Sequence, residues 1–254
     1  MSNRWTNLLQ NKTIIVTGAS SGIGRECAIQ CSKQGANLIL VGRNPEKLRV
    51  TLEHLDAGKH NIVTCDLSEP EQIAAINDEL IRYGPVQGLV HCAGRQKALP
   101  LKAFDMNEFD NLFRINVSSG IELTRIVSSP KAFDKDGGSI IFISSISAVK
   151  TEKGKLEYSA TKAALNSAVK TIALELAAKS IRVNAISPAM VKTPMLDSLF
   201  SELPKDAAEK INERHLLGII DPIEIADLSV FLLSDLSKKI TGSNFIIDSG
   251  YSLT

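Results

Sequence analysis

A surplus of charge of one sign is the first thing this sequence lacks. Its 29 Lys and Arg stand against 28 Asp and Glu, a formal charge of +1. Without a net field to attract phosphate backbones or anionic lipid, the broad electrostatic case for nucleic-acid or membrane-surface binding falls away. Long apolar runs are missing too. No uninterrupted segment approaches the ~18 residues of a spanning helix, and residues 1–10 lack the apolar middle of a signal peptide, so a cytoplasmic chain is expected. Cysteine and histidine are scarce, with four of each. Cys27, Cys31, Cys65 and Cys92 form no CxxC pair; the i,i+4 spacing of the first two, in an apolar segment, reads as buried reduced thiols. His54, His60, His91 and His215 show no HExxH or other ligand spacing, so no metal is expected. Repeats, low-complexity tracts and Pro/Gly/Ser linkers are also absent, which predicts one domain over 1–254.

What the sequence has is alternation. At 254 residues and 44% apolar, it can bury a large core. Short β-branched runs recur at 13–17, 37–41, 61–65, 87–91, 139–143, 182–187 and 244–247, most of them continuously apolar, with longer helical patterns between. Strands buried on both faces read this way, so the pattern predicts an α/β fold: a doubly wound parallel sheet of about seven strands with helices on both faces. Pro45 and Pro70 stand where helices begin, with Glu46, Glu69 and Glu71 near the positive end of the dipole. The stretch 158–179, free of Gly and Pro, predicts a long helix. The least regular part, 188–218, is interrupted by Pro194 and Pro204 and is the candidate substrate lid, around 189–218. Within it Leu196, Leu199, Phe200 and Leu203 keep helical spacing, a stripe that covers a pocket or packs against the domain or a neighbouring subunit.

The first strand runs into Thr17-Gly18-Ala19-Ser20-Ser21-Gly22-Ile23-Gly24 and then a helical pattern. Glycines so spaced let the backbone turn tightly and approach a diphosphate, whose charge meets free N–H groups at the helix start; strand before and helix after are the context such a motif requires. A ribose selector is expected roughly 20 residues on, at the end of the second strand. There the chain has Gly42, Arg43 and Asn44 and no acid. Gly42 leaves room and Arg43 offers planar donors suited to a phosphate, so NADP(H) is expected over NAD(H), although a lone loop arginine is often simply solvated. Asp66, followed by Leu67, is placed to accept from an adenine amino group and equally to cap the helix entered at Pro70.

A second constellation lies downstream. The strand ending at Ile143 leads to Ser145, and thirteen residues later come Tyr158 and, one helical turn on, Lys162. An ammonium beside a phenol favours phenolate, and a lowered phenol pKa makes Tyr158 able to exchange the proton that accompanies hydride transfer. Ser145 is positioned to hydrogen-bond a substrate carbonyl.

These pieces together resemble the short-chain dehydrogenase/reductase family over nearly everything from Lys12 to Tyr251: TGASSGIG at 17–24, CDL at 65–67, AG at 93–94, Asn116-Val117, ISS at 143–145, YSATK at 158–162, RVNAISP at 182–188 and TPM at 193–195. The resemblance implies a Rossmann-like fold and a tetrad of Asn116, Ser145, Tyr158 and Lys162, with Tyr158 as acid/base, Ser145 orienting the carbonyl, Lys162 binding ribose and Asn116 holding a relay water. It further implies cofactor contacts from Cys92, Ala93, Gly94 and Pro188, with Val191 and Thr193 on the carboxamide, no catalytic metal, and a homotetramer or dimer built partly through helices near 106–128 and 158–179. Two departures are expected to tune the nicotinamide pocket: Cys92 stands where the family commonly has Asn, and Ala189 follows Pro188 where Gly is usual. The resulting expectation is an NADP(H)-dependent carbonyl reductase, reversible as an alcohol dehydrogenase. Alternatives are a 3-oxoacyl carrier-protein reductase, for which Asp136 and Lys179 would be the docking pair and one has the wrong sign, a sugar or polyol oxidoreductase, and a non-catalytic NADP(H) sensor. Arg95, Lys97, Lys150, Lys153 and Lys155 are candidates to attract a substrate phosphate or carboxylate, or are solvated loop charges.

Overall fold

The computed structural model describes residues 5–202 and 205–254. Seven parallel strands form one sheet: β1 (Thr13–Thr17), β2 (Asn37–Gly42), β3 (Asn61–Thr64), β4 (Gly88–His91), β5 (Gly138–Ile143), β6 (Ile181–Pro188) and β7 (Asn244–Ile247). They lie in the order β3-β2-β1-β4-β5-β6-β7. The helices are α1 (Gly22–Lys33), α2 (Pro45–Leu52), α3 (Pro70–Arg82), α4 (Met106–Phe113), α5 (Ser119–Val127), α6 (Leu156–Leu176), α7 (Pro194–Glu202), α8 (Lys205–Glu213) and α9 (Pro222–Leu233). The expected strands all form, with ends that move by a residue.

Alternation within each strand explains why both faces are covered. Ile14 and Val16 of β1 join Cys27 and Ala28 of α1 and Ile225 and Leu232 of α9 in one buried cluster. Ile15, one residue out of phase, joins Leu89, Phe142, Leu123 of α5 and Leu165 of α6 in the other. A period-2 backbone sends successive side chains to opposite faces, so an all-apolar strand demands a helix layer on each side. The chain reverses direction across the sheet between β1 and β4, whose ends pair as Thr17 with His91. In such sheets the crevice for a ligand opens at the carboxyl ends of the strands, at this switch point.

Helix starts follow local chemistry. Asn44 accepts from Lys47 N–H at 2.9 Å with Pro45 in the first turn, and Asp221 and Glu224 form a reciprocal capping box ahead of α9, also with a leading proline. Three expectations change. The segment 188–218 is not irregular: it contains α7 and α8, because Pro194 occupies a helix start, where proline is tolerated, and initiates rather than interrupts. Pro204 lies outside the described residues. The long helix begins at Leu156 and tightens into a 3-10 turn over Ala177–Lys179, ending at Ser180 with φ +57°. The helical stretch near 106–128 runs without a break but is not uniform, since a π turn over Arg114–Ser118 lies between α4 and α5. Among the described residues no helix is long and apolar enough to cross a membrane.

Candidate active site

At the switch point the Gly-rich turn is held by close backbone approaches. Gly18 has φ +64°, and a Cβ there would sit 3.0 Å from Ala93 N; a Cβ on Gly24 would fall 2.4 Å from the Gly18 carbonyl oxygen. Neither position has room for a side chain. Behind the turn, Thr51 of α2 donates to the Ala19 carbonyl at 2.8 Å and Arg25 to the Ser20 carbonyl at 2.6 Å. At the mouth of α1, Ser21 makes no side-chain cap and no acid occupies the first turn, so the positive end of the helix is left for a ligand. The groove in front is lined by Gly18, Ser20, Ser21, Gly22, Ile23, Gly24, Gly42, Arg43, Asp66, Leu67, Cys92, Ala93, Gly94 and Thr193, so nearly all the expected dinucleotide residues converge there. The fit to a dinucleotide is good on this ground alone: a backbone cradle that any Cβ would fill, ending on uncapped amides.

Pro188 and Val191 line an adjoining cavity instead, and Asn44 lines neither. Its side chain is spent on the α2 cap. One Asp66 oxygen accepts from Ser68 N–H (2.9 Å) and the Ser68 hydroxyl (2.7 Å) in a local turn ahead of α3, while the other lies 3.7 Å from Arg43 at the groove wall. Burial raises the Asp66 pKa, but Ser68 and then Arg43 outweigh it and hold the carboxyl below its usual range. Arg43 itself is 61% exposed and loosely engaged.

A second cavity adjoins the groove, sharing Ile23, Cys92, Gly94, Arg95, Thr193 and Met195 with it. Ser145, Tyr158 and Lys162 line this cavity together with Pro188 and Val191. Ser145 accepts from Ser147 N–H at 3.1 Å at the start of a 3-10 turn, and its hydroxyl donates to the Tyr158 phenol. Lys162 is buried; its Nζ donates to the Ile143 carbonyl at 2.9 Å and lies 5.8 Å from the centre of the Tyr158 ring. Burial drives this amine down to about 8.

The expected lowering of the Tyr158 pKa is not found. Burial raises it, the Ser145 hydrogen bond opposes only in part, and the Lys162 ammonium is turned toward the Ile143 carbonyl instead of the phenol oxygen. The Asn116 side chain is engaged entirely by protein groups. Its Oδ1 accepts from Arg95 N–H at 2.8 Å, and its amide donates to the Arg95 carbonyl (2.9 Å) and to Thr161 Oγ1 (3.1 Å). Both amide hydrogens are thereby committed to protein, and the side chain acts as a clamp between the strand-end loop and the turn of α6 that carries Tyr158. Thr161 completes the link by donating to the Tyr158 carbonyl at 2.8 Å. The π turn presents Asn116 to this clamp, a placement that helical periodicity does not reveal.

Cys92, in place of the commoner asparagine, hydrogen-bonds Cys27 with its thiol, and that bond and then burial push its pKa well up. It faces the backbone path of the cofactor groove as an inert, neutral group. Ahead of it Thr17 Oγ1 accepts from Ala93 N–H at 3.1 Å and contacts His91 Nδ1 at 3.1 Å. Buried His91 is driven down to about 3, by desolvation first and the Lys162 charge second.

Of the lid stripe, Leu196 and Leu199 line the cavity and Phe200 does not; Leu203 lies outside the described residues. Arg95, Lys150 and Lys155 line it as well, whereas Lys153 does not and Lys97 pairs with Glu108 at 2.8 Å. Sequence reasoning missed Glu152 and Tyr251, both on the cavity wall. Glu152 accepts from Lys155 (2.7 Å), Arg214 (2.7 Å) and the Tyr251 hydroxyl. Burial pushes its carboxyl up, but these partners overcome it and bring the group down to about 2. A sign of it was the one acid among the lysines of 150–155; nothing local connects that acid to residues 62 and 99 positions away.

Comparisons with known proteins agree with this geometry. A family model described as Enoyl-(Acyl carrier protein) reductase matches residues 18–252. The oxidoreductase UcpA of Escherichia coli strain K12 is 33% identical over 255 residues, 96% of each chain. The 2-keto-3-deoxy-L-fuconate dehydrogenase of Xanthomonas campestris is 34% identical over 96% of this chain and 81% of its own. Among solved structures, the L-sorbose reductase of Gluconobacter frateurii, in complex with NADPH and L-sorbose, superposes with a TM-score of 0.89 at 28% identity over 98% of this chain and 100% of that one. The chain belongs to the short-chain dehydrogenase/reductase family, oxidoreductases that act on alcohol and carbonyl groups with a nicotinamide dinucleotide.

Proposed function

We propose that this protein is an NADP(H)-dependent carbonyl reductase, reversible as an alcohol dehydrogenase, with Tyr158 exchanging the proton. The observation that carries this reading is that Ser145, Tyr158 and Lys162 line one cavity whose wall continues, through Ile23, Cys92, Gly94 and Thr193, into the groove of the Gly-rich turn. The bound nicotinamide supplies the hydride. The uncapped start of α1 and the backbone of 18–24 bind the diphosphate, and Gly42 with Arg43 receives a 2′-phosphate where an acid would select a free hydroxyl. Ser145 and Tyr158 then hold the substrate oxygen between their hydroxyls. A phenol kept protonated by burial suits the reducing direction: it donates to the oxygen as negative charge develops there. Lys162, with its lowered pKa, sits one helical turn away, its Nζ 5.8 Å from the centre of the phenol ring. Asn116 holds the loop after β4 against α6, and so fixes the distance between cofactor wall and proton donor.

Leu196 and Leu199 on the cavity support a covering role for the 189–218 segment, now a helical one. Ile121 and Leu174, exposed on α5 and α6, support self-association as a dimer or homotetramer. The carrier-protein reading is not favoured: Lys179 donates to the Ser128 carbonyl at 3.1 Å and Asp136 is acidic. The test is to follow oxidation of NADPH, with NADH in parallel, across acetoacetyl thioesters, keto-sugars, quinones and simple ketones. Turnover with NADPH on one carbonyl class is the expected result. Tight NADPH binding without turnover over the whole panel is the behaviour of a sensor and would remove the reductase reading.

A further inference from the structure

The cavity wall opposite in character to its apolar lid residues is formed by the 150–155 segment, Arg95 and the C-terminal Tyr251. Its charge does not balance. Arg95, Lys150, Glu152, Lys155 and Lys162 line the cavity, four cations to one carboxylate, and that carboxylate also receives Arg214 from outside. Lys162 and Lys150 are occupied by main-chain carbonyls, those of Ile143 and of Tyr251 (2.8 Å) respectively. Lys155 and Arg95 are different. Lys155 is 13% exposed, so it is no solvated loop charge, and it shares Glu152 with Arg214, leaving two cations against one anion. Arg95 follows Gly94 at the seam of the two cavities and makes no ion pair among the described residues. Glu152 anchors this wall: it fixes Lys155 through one oxygen and Arg214 and Tyr251 through the other. Around the half-buried Lys155 screening by water is reduced, which favours an anion there, and the exposed Arg95 adds its charge from the rim.

We propose that the substrate bears an acidic group, a carboxylate or a phosphate, which Lys155 and Arg95 bind while its carbonyl meets Ser145 and Tyr158. This rests on the carbonyl-reductase reading of the same cavity and narrows it from carbonyl compounds in general to oxo acids or oxo phosphates. The geometry supports it through sequence spacing as well: Lys155 precedes α6 and Tyr158 lies in its first turn, so one short segment carries both the cation and the proton donor. Glu152 is a positioning residue, acting through Lys155.

The experiment separates the two readings. The Tyr158→Phe protein, loaded with NADPH, is titrated calorimetrically with 5-keto-D-gluconate, with its uncharged counterpart L-sorbose and with L-sorbose 6-phosphate; acetoacetate and its methyl ester serve as a smaller pair. One or both anions of the set bind about ten- to hundred-fold tighter than the neutral partner, the scale of a charge-assisted bond. That ratio collapses in Lys155→Met and Arg95→Met, returns in Lys155→Arg, and shrinks with added salt. A preference for carboxylate over phosphate, or the reverse, identifies the acidic group. Equal or undetectable affinity across every pair overturns the proposal, and wild-type turnover of neutral and anionic carbonyls alike would do so while leaving the reductase reading intact. Anion preference without any wild-type turnover has the opposite meaning: the subsite stands and the reductase reading falls.

Discussion

The two cavities that meet at Gly94 are built from different materials. The dinucleotide groove is a backbone structure, made of strand ends, amides at the start of α1 and glycines whose missing side chains leave its floor open. The adjoining cavity is a side-chain structure: Tyr158, Lys155, Glu152 and Tyr251 reach into it from two separated stretches of chain, and Leu196 and Leu199 close it from α7. The difference teaches where this molecule tolerates change. Replacing a residue in the groove threatens the path of the chain, whereas replacing one in the cavity changes what is bound or what reacts.

Four measurements sharpen or break that contrast. The largest effect is expected in the cavity. Tyr158→Phe removes the proton donor and should lower turnover by about 10²–10⁴-fold with NADPH affinity nearly unchanged; a parallel loss of cofactor binding would show that the phenol is part of the groove's structure. Next comes a groove residue that acts through its side chain. Arg43→Ala should weaken NADPH by roughly ten- to hundred-fold and NADH little, as loss of a charge-assisted phosphate contact predicts, and equal weakening of both sinks the 2′-phosphate assignment. Gly24→Ala probes the backbone. Its Cβ lands 2.4 Å from the Gly18 oxygen, so the turn must open, at a cost of about 1–3 kcal/mol in urea unfolding together with weaker binding of both dinucleotides; unchanged stability would mean that the turn is not tight.

The last measurement concerns His91, beneath the seam, whose effect is confined to acid pH. Its pKa is depressed to about 3 in the fold against about 6.5 unfolded, so the unfolded chain takes up the proton first. The stability this neutral imidazole retains is complete above pH 6.5 and is lost as pH falls toward 3, with a slope of at most about 1.4 kcal/mol per pH unit. His91→Asn should flatten the wild-type decline in that window; parallel curves for the two proteins would remove His91 from the account.

The contrast also explains what was legible in the sequence. The groove follows from contiguous signals: Thr17 to Gly24 carries strand, turn and helix start in one run, and the continuous apolar strands that build its floor announce a sheet covered on both faces. Ser145, Tyr158 and Lys162 were readable because strand end and helical spacing place them locally. Glu152 and Tyr251 were not, since their hydrogen bond joins residues 99 positions apart and no periodicity records it. Nor was the direction of the Tyr158 shift, which depends on where the Lys162 amine points, a matter of burial and of the Ile143 carbonyl rather than of i,i+4 spacing. The helices of 194–213 were obscured by treating Pro194 as an interruption; Asn44 was assigned to the cofactor because its motif position hid its role as a helix cap.

The π turn at Arg114–Ser118 has a consequence for anyone transplanting this scaffold. An α-helix advances about 100° per residue, so the residue a π turn adds offsets the faces of α4 and α5 by about that much. Redesign of 106–127 as one ideal helix would improve every local propensity and still rotate either Asn116 away from Arg95 and Thr161 or the buried face of α5, with Leu123 on it, away from the sheet. Regularity here would trade the alignment of a clamp for a smoother cylinder, and a grafted site that omits this wider turn would come out of phase by more than a quarter of a helical revolution.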